Sequence, residues 1–199
     1  MQKKVQALLV QKSNPKEKTK MHKKIAILRG INVSGKRRIL MADLKSMFKD
    51  MGFSNISTYI QSGNVIFDSK EGSDNLELSR KIESAIAKKF DFNVPVIIRT
   101  PKELELIINK NPFYKDDIEI THLHLTFLNE KPTKENQELI ETYHFEPDKF
   151  VIDGKDVFIY CAEKYHQSKL INNFFEKKLK MNTTTRNWKT VLKLCELSK

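Results

Sequence analysis

This sequence has little cysteine, little glycine and no long apolar run. Its 199 residues include two cysteines, six glycines, six prolines and one tryptophan. Cys161 and Cys195 lie too far apart for a metal-binding or redox spacing, which is typical of reduced thiols in a cytosolic protein. No stretch approaches the roughly 18 apolar residues of a membrane-spanning helix. The apolar run from Ala7 to Val10 is also too short for a signal-peptide core. We therefore expect a cytoplasmic protein with no membrane segment.

The positive charge of the chain is concentrated at its two ends. The formal net charge is +11, of which residues 1–24 carry +7 and residues 167–199 carry +6, so that the middle of the chain is −2. This distribution excludes a uniformly basic nucleic-acid binder. Basic ends of this kind bind polyanions weakly and without specificity, or are simply solvated.

Signatures of metal and cofactor chemistry are lacking. The sequence has no CxxC or HExxH motif and no nucleophile elbow. His122 and His124 alternate along a predicted strand and so share a face, but two histidines without a third ligand do not form a metal site. We predict no metal and no cofactor, and no side chain stands out as a catalytic nucleophile.

The first half of the chain shows the order β-α-β-β-α-β. Apolar periodicity and turn residues predict a strand at 25–28, a helix at 41–51, hairpin arms at 58–60 and 65–67, a helix at 78–90 and a strand at 94–99. This order is that of the ferredoxin-like fold, in which two helices cover one face of an antiparallel sheet. Thr100, Pro101 and Glu103 then form a strong start for another helix.

The second half repeats the pattern. It predicts a strand at 123–128, a helix from Thr133, a hairpin at 150–161, a helix at 170–179, a short closing strand and a final helix capped by Asn187. The hairpin sequences TYIQSGNVIF and FVIDGKDVFIY align, which indicates an internal duplication, although two similar orders by chance remain the alternative. We predict an α+β protein with a basic, disordered extension at 1–22 and ferredoxin-like halves at 23–100 and 101–199.

Three polar segments interrupt this pattern of core residues. They are LRGINVSGK (residues 28–36), TYIQSGNVIF (58–67) and TTRNWKTVLKL (184–194). Together and in this order they resemble DUF1697, a bacterial family of unknown function, with a likeness that extends from about Lys24 to the C-terminus. Ser34, the AEKYHQSKL stretch and the N-terminal extension depart from the family pattern. The resemblance implies the fold and a cytosolic bacterial setting, and it brings no activity or catalytic residue.

The first polar segment has the character of an anion-binding turn. Between a strand and a helix, Gly30 and Gly35 allow backbone N–H groups to face an anion, while Arg29 and Lys36 add charge and Asn32 adds an amide. Gly30 to Lys36 matches GxxxxGK, but Arg37 stands where a nucleotide-hydrolysing loop needs Ser or Thr for magnesium. The alternatives are a phosphate- or carboxylate-binding turn and a purely structural turn.

The other two segments supply further polar groups. A hairpin turn at 62–64 explains Gly63 and Asn64, since such turns favour positive φ, but it does not require Gln61. In the third segment, Arg186 is the charged residue beside the cap of the final helix, and Trp188 lies on its apolar face. We predict that the three segments converge on one positively charged site.

These observations leave three classes of function open. The first is a binding or regulatory protein for a small anionic ligand, held by six polar residues, namely Arg29, Asn32, Lys36, Gln61, Asn64 and Arg186. The second is an enzyme that uses the same cluster, which the lack of a nucleophile disfavours. The third is a weak nucleic-acid-associated protein, for which the strand GNVIFDS lacks the aromatic pattern of an RNA-recognition motif.

Overall fold

The computed structural model of the chain describes residues 20–33, 35–70 and 74–199. The first half consists of β1 (Met21–Leu28), α1 (Met41–Asp50), β2 (Ser54–Tyr59), β3 (Asn64–Lys70), α2 (Asn75–Phe90), β4 (Val96–Arg99) and α3 (Pro101–Lys110). The second half consists of β5 (Leu123–Leu128), α4 (Lys134–Glu141), β6 (Lys149–Asp153), β7 (Asp156–Tyr160), α5 (Asn172–Leu179), β8 (Thr183–Asn187) and α6 (Trp188–Leu197). The predicted extension at 1–22 falls mostly outside the described residues, and β1 begins within it, at Met21.

Each half forms a four-stranded antiparallel sheet. The strand orders are β2-β3-β1-β4 and β6-β7-β5-β8, so equivalent strands occupy equivalent places. Both orders are those of the ferredoxin-like fold. The prediction of two ferredoxin-like halves in tandem with a C-terminal helix is therefore confirmed.

The helix that follows each sheet starts at a strong cap. The Thr100 hydroxyl accepts a hydrogen bond from the Glu103 amide, and the Glu103 carboxylate accepts one from the Thr100 amide. The side chain of Asn187 accepts a hydrogen bond from the Thr190 amide at the start of α6. Both caps are those that the sequence predicts. Each satisfies a backbone N–H group that has no carbonyl partner within the first helical turn.

Three hydrophobic cores hold the layers together. Alternation along β1 sends Ala26 and Leu28 towards α1 and α2, and Ile25 and Ile27 to the opposite face. The opposite face of this sheet meets the second sheet, α3 and α6 in a shared middle core, which includes Ile66, Ile97, Leu125, Phe127, Phe158 and Trp188. A third core lies between the second sheet and α4 and α5. The halves are thus joined through buried apolar side chains.

The first hairpin differs from its prediction in one respect. Its turn comprises residues 60–63, and Asn64 is the first residue of β3, where it is fully buried. Positive φ occurs at Ile60 (51°) and Gly63 (80°). Asn64 is therefore a buried polar residue in need of partners, whereas Gln61 lies exposed in the turn.

Among the helices that the structure describes, none has the length and apolar character needed to cross a bilayer.

Candidate functional site

The structure brings the three polar segments into contact at the interface between the halves. Arg186, in β8, extends its guanidinium to the first half. Its Nη2 atom donates to the carbonyl oxygens of Leu28 at 2.7 Å and Ser62 at 2.9 Å, and lies 3.3 Å from that of Gly63. We call the contact region of residues 28–33, 35–38, 60–64 and 185–186 the polar junction.

Asn64 completes the surroundings of Arg186. Its Oδ1 accepts a hydrogen bond of 2.9 Å from Nε of Arg186, and its Nδ2 donates to the Tyr59 carbonyl at 3.1 Å. Burial lowers the pKa of Arg186 to about 10, so the guanidinium remains charged at neutral pH. In the described part of the chain, no carboxylate forms an ion pair with it. Arg186 is nevertheless partly exposed to solvent.

Asn32 fastens the first polar segment to the hairpin turn. Its side-chain amide donates to the carbonyl oxygens of Ile39 and Gln61 and accepts from the Ile39 amide, each at 2.9 Å. Its backbone is left-handed, with a φ of 56°, a conformation that asparagine tolerates better than most residues. Asn32 therefore closes the loop that contains residues 35–38 and holds it beside the turn that carries Gln61.

Arg29 also bridges the two halves. Its guanidinium pairs with the carboxylate of Glu176 and donates to the side chain of Asn173 at 3.0 Å, and both partners lie on α5. Its backbone amide donates to the Pro95 carbonyl. The charge of Arg29 is thus balanced within the protein.

The loop that Asn32 closes carries three consecutive cations. Lys36, Arg37 and Arg38 are exposed, and none forms an ion pair with a described residue. A Cβ added to Gly30 would lie 3.6 Å from Nη1 of Arg37, which places this guanidinium beside the start of the loop. Gln61 is exposed in the adjoining turn. Ser34, which the sequence pattern also places here, lies outside the described residues.

Of the six predicted ligand-binding residues, the side chains of Asn32, Asn64, Arg29 and Arg186 bind protein groups, and those of Lys36 and Gln61 face solvent. Convergence of the segments thus has a structural consequence, because it ties the two halves together. It also leaves a cluster of exposed donors at the rim.

Cavities lined by described residues also occur outside the polar junction. A cavity of about 430 Å³ opens beside the turn at residues 145–148 and is lined by residues that include His144, Glu146 and Glu163. Asp148 lines it too, but its carboxylate accepts hydrogen bonds from the Ser168 hydroxyl and the Ala162 amide. Lys169 also lines this cavity, so its wall carries charges of both signs.

The two histidines of the predicted strand have separate surroundings. His122 lies in a short 3-10 helix before β5, and its Nδ1 is 2.7 Å from the Cys161 carbonyl oxygen. The ring of His124 stacks on Tyr165 at 4.4 Å between centroids. No group of three metal-ligating side chains occurs in residues 20–33, 35–70 and 74–199.

Comparison with known proteins places the chain in a family. The model of "Protein of unknown function (DUF1697)" matches residues 21–158. The chain belongs to the DUF1697 family. The match includes the first two polar segments and ends before the third. No curated protein matches this DUF1697 chain significantly.

A solved structure has the same fold as this DUF1697 protein. It is the conserved bacterial protein SP0830 from Streptococcus pneumoniae, which is 22% identical, with a TM-score of 0.72. The superposition covers 90% of this chain and 100% of that protein. At this identity the likeness extends to the fold only.

Sequence reasoning overlooked three arginines that the structure makes prominent. Arg37 entered the sequence argument only as a departure from a nucleotide-binding motif, and Arg38 did not enter it. Both are exposed next to Lys36, and Arg37 also lies beside Gly30. Arg99 is 2% exposed and donates to the Leu128 and Lys155 carbonyls at 2.9 and 2.8 Å. The sequence feature that could have drawn attention to Arg99 is its position. Arg99 directly precedes the helix cap Thr100, as Arg186 directly precedes the helix cap Asn187.

Proposed function

We propose that this DUF1697 protein binds a small anionic ligand, namely a phosphate, nucleotide or carboxylate, at the rim of the polar junction. The observation that carries the proposal is the run Lys36-Arg37-Arg38, which is exposed and has no ion-pair partner in the described part of the chain. Three adjacent cations repel one another, so an anion that binds among them gains attraction from all three and relieves their repulsion.

The loop around these cations supports the same proposal. The side chain of Asn32 joins Ile39 and Gln61 through three hydrogen bonds, so the loop is closed before any ligand arrives. A preformed loop loses less conformational entropy when a ligand binds than a flexible one does. Gln61 adds an exposed amide donor in the adjoining turn. The hydrogen bonds of Arg29, Asn64 and Arg186 hold the two halves together next to this loop.

A ligand titration of the full-length chain tests the proposal. Inorganic phosphate, a nucleoside triphosphate, succinate and a short DNA oligonucleotide are each added at low salt, and binding is measured by calorimetry and thermal unfolding. We expect at least one small anion to raise the unfolding midpoint. The combined variant Lys36→Ala, Arg37→Ala, Arg38→Ala should weaken that binding by roughly tenfold or more, because exposed ion pairs each contribute up to about 1 kcal/mol.

A matched variant controls for net charge. Lys88, Lys115 and Lys164 are exposed residues of α2 and of two loops outside the polar junction. Their combined replacement by alanine also removes three positive charges and should leave affinity nearly unchanged. Equal losses in both variants would mean non-specific attraction, and the absence of any response in the native chain would overturn the proposal. Tighter binding of the oligonucleotide than of every small anion would instead favour nucleic acid.

A further inference from the structure

Arg99 and Arg186 occupy the same position in the two halves. In the first sheet Ile25 of β1 is paired with Arg99 of β4, and in the second sheet Leu125 of β5 is paired with Arg186 of β8. The hairpins correspond in the same register. The Leu28 amide donates to the Gly63 carbonyl, and the Leu128 amide donates to the Lys155 carbonyl. Arg99 and Arg186 are thus structurally equivalent residues of the two halves.

Each arginine binds the same backbone groups of the opposite half. Arg99 donates to the carbonyls of Leu128 and Lys155, at the end of β5 and just before β7. Arg186 reaches the carbonyls of Leu28 and Gly63, at the end of β1 and just before β3. The two contacts are related by the duplication, so that the interface between the halves is fastened twice.

The two contacts differ at one residue. Arg99 forms an ion pair of 3.2 Å with Asp156, the first residue of β7. The equivalent first residue of β3 is Asn64, which offers Arg186 a neutral oxygen at 2.9 Å. Glu176, a carboxylate at the same interface, is paired with Arg29. The charge on Arg99 is thus neutralised by Asp156, whereas no carboxylate of the described residues pairs with Arg186.

The two arginines also differ in their exposure to solvent. Arg99 is 2% exposed, whereas Arg186 is partly exposed. Among the described residues its Nη1 atom forms one hydrogen bond, to the Thr185 carbonyl at 3.0 Å, so one of its two N–H groups has no acceptor there. A buried cation without an anion is costly, and a bound carboxylate removes part of that cost.

We propose that Arg186 is the recognition group for a carboxylate of the ligand, which supplies the negative charge that Asp156 supplies to Arg99. This inference rests on the proposed anion site and names the chemical group that the ligand presents there. The cations of the loop at 36–38 then hold a second anionic group or the remainder of the ligand. A dicarboxylate or a carboxylate that also carries a phosphate fits this arrangement.

The variant Asn64→Asp tests the proposal directly, because it gives Arg186 the internal partner that Arg99 has. Acetate and inorganic phosphate serve as probes of the full-length chain, and the Nε–H signal of Arg186 in ¹H–¹⁵N spectra reports on the guanidinium itself. In the native chain we expect acetate to shift this signal. In Asn64→Asp we expect the response to weaken by roughly tenfold or more, because the new carboxylate pairs with the guanidinium in place of acetate.

A conservative change in the other half is the matched control. Asp156→Asn removes the partner of Arg99, and we expect it to lower the unfolding midpoint while the response of Arg186 to acetate persists. An unchanged acetate response in Asn64→Asp would overturn the inference. If Asn64→Asp does not fold, the native chain still decides, because an Arg186 signal that ignores acetate also overturns it. Phosphate binding that depends on residues 36–38 without any response of Arg186 would leave the proposed function standing and remove this inference alone.

Discussion

His124 is a buried titratable residue outside the polar junction. It is 7% exposed, its ring stacks on Tyr165, and its Nδ1 has no hydrogen-bond partner among the residues that the structure describes. Burial lowers the pKa of His124 from 6.5 to about 4, and the nearby His122 adds to this effect when it is protonated. The native fold therefore accommodates His124 in its neutral form.

This shift predicts acid sensitivity. Between pH 6.5 and 4 the unfolded chain binds a proton at His124 that the folded chain excludes, so the stability present above pH 6.5 is lost as the pH falls towards 4. Comparison of urea unfolding at pH 7 and pH 4 should show that the loss in His124→Gln is about 2–3 kcal/mol smaller than in the native chain. The exposed His166, changed to glutamine, is the control and should keep the native pH dependence. Parallel pH profiles for His124→Gln and the native chain would contradict the prediction.

The element that decides the geometry of the polar junction is the first hairpin. Its turn requires Gly63 for two reasons, since φ is 80° and a Cβ would lie 2.7 Å from Cδ1 of Ile31 and 2.8 Å from Cβ of Leu28. In this conformation the carbonyls of Ser62 and Gly63 face Arg186. The polar junction therefore depends on a close approach of the hairpin turn to the end of β1.

Gly63→Ala is expected to destabilise the fold by about 2–4 kcal/mol, which combines left-handed backbone strain with overpacking. Gly35→Ala is the comparison, because Gly35 has a φ of 75° but nothing within 4 Å of an added Cβ. It should cost only about 1 kcal/mol. Urea denaturation measures both differences. Equal costs would mean that contact with Ile31 and Leu28 does not constrain the hairpin.

At the scale of the whole molecule, the halves depend on each other. The face of the first sheet that bears Ile25, Ile27, Ile66 and Ile97 packs in the middle core, together with residues of β5, β7 and α6. Burial of each isoleucine contributes about 1.5–3 kcal/mol, so the four together are comparable to the total stability of about 5–15 kcal/mol of an ordinary protein. Arg99 and Arg186 add hydrogen bonds across the same interface.

We therefore expect a fragment of residues 20–110 not to fold cooperatively by itself. Circular dichroism during urea denaturation should show a broad, non-cooperative change for the fragment. For the full chain it should show one transition that coincides with the change in Trp188 fluorescence. A sharp transition of the fragment at a similar urea concentration would show that the middle core is dispensable for the first half.

The sequence was most informative where structure depends on neighbouring residues. The apolar run IAIL, the helical spacing from Met41 to Met51, and the caps at Thr100 and Asn187 each predicted an element that the structure contains. The hairpin at Asp153-Gly154 was also predicted, since Gly154 takes the positive φ that its turn requires. Such features are set within a few residues, so local physical preferences are sufficient to predict them.

The roles of the polar residues depended on groups far away in the chain. Asn64 was interpreted as a turn residue, but it begins β3 and binds Arg186, which lies 122 positions later. Arg29 was interpreted as a ligand group, and its carboxylate partner Glu176 lies on a helix of the other half. The sequence carries no local signal for such pairs, because the spacing between their residues is set by how two sheets pack.

By itself, the sequence determined the order of strands and helices, the two halves in tandem and the presence of three polar segments, since periodicity, turns and caps predict each of them. Only the tertiary structure decided that Arg29, Asn64 and Arg186 join the halves and that Asn32 holds the first polar segment against the hairpin turn. It also decided that Lys36 and Gln61 remain exposed. It also separated Arg99, which has Asp156, from Arg186, which has an asparagine in the same place. Charge balance at a buried contact depends on which side chains meet across an interface, and that is fixed only when both halves pack around the middle core.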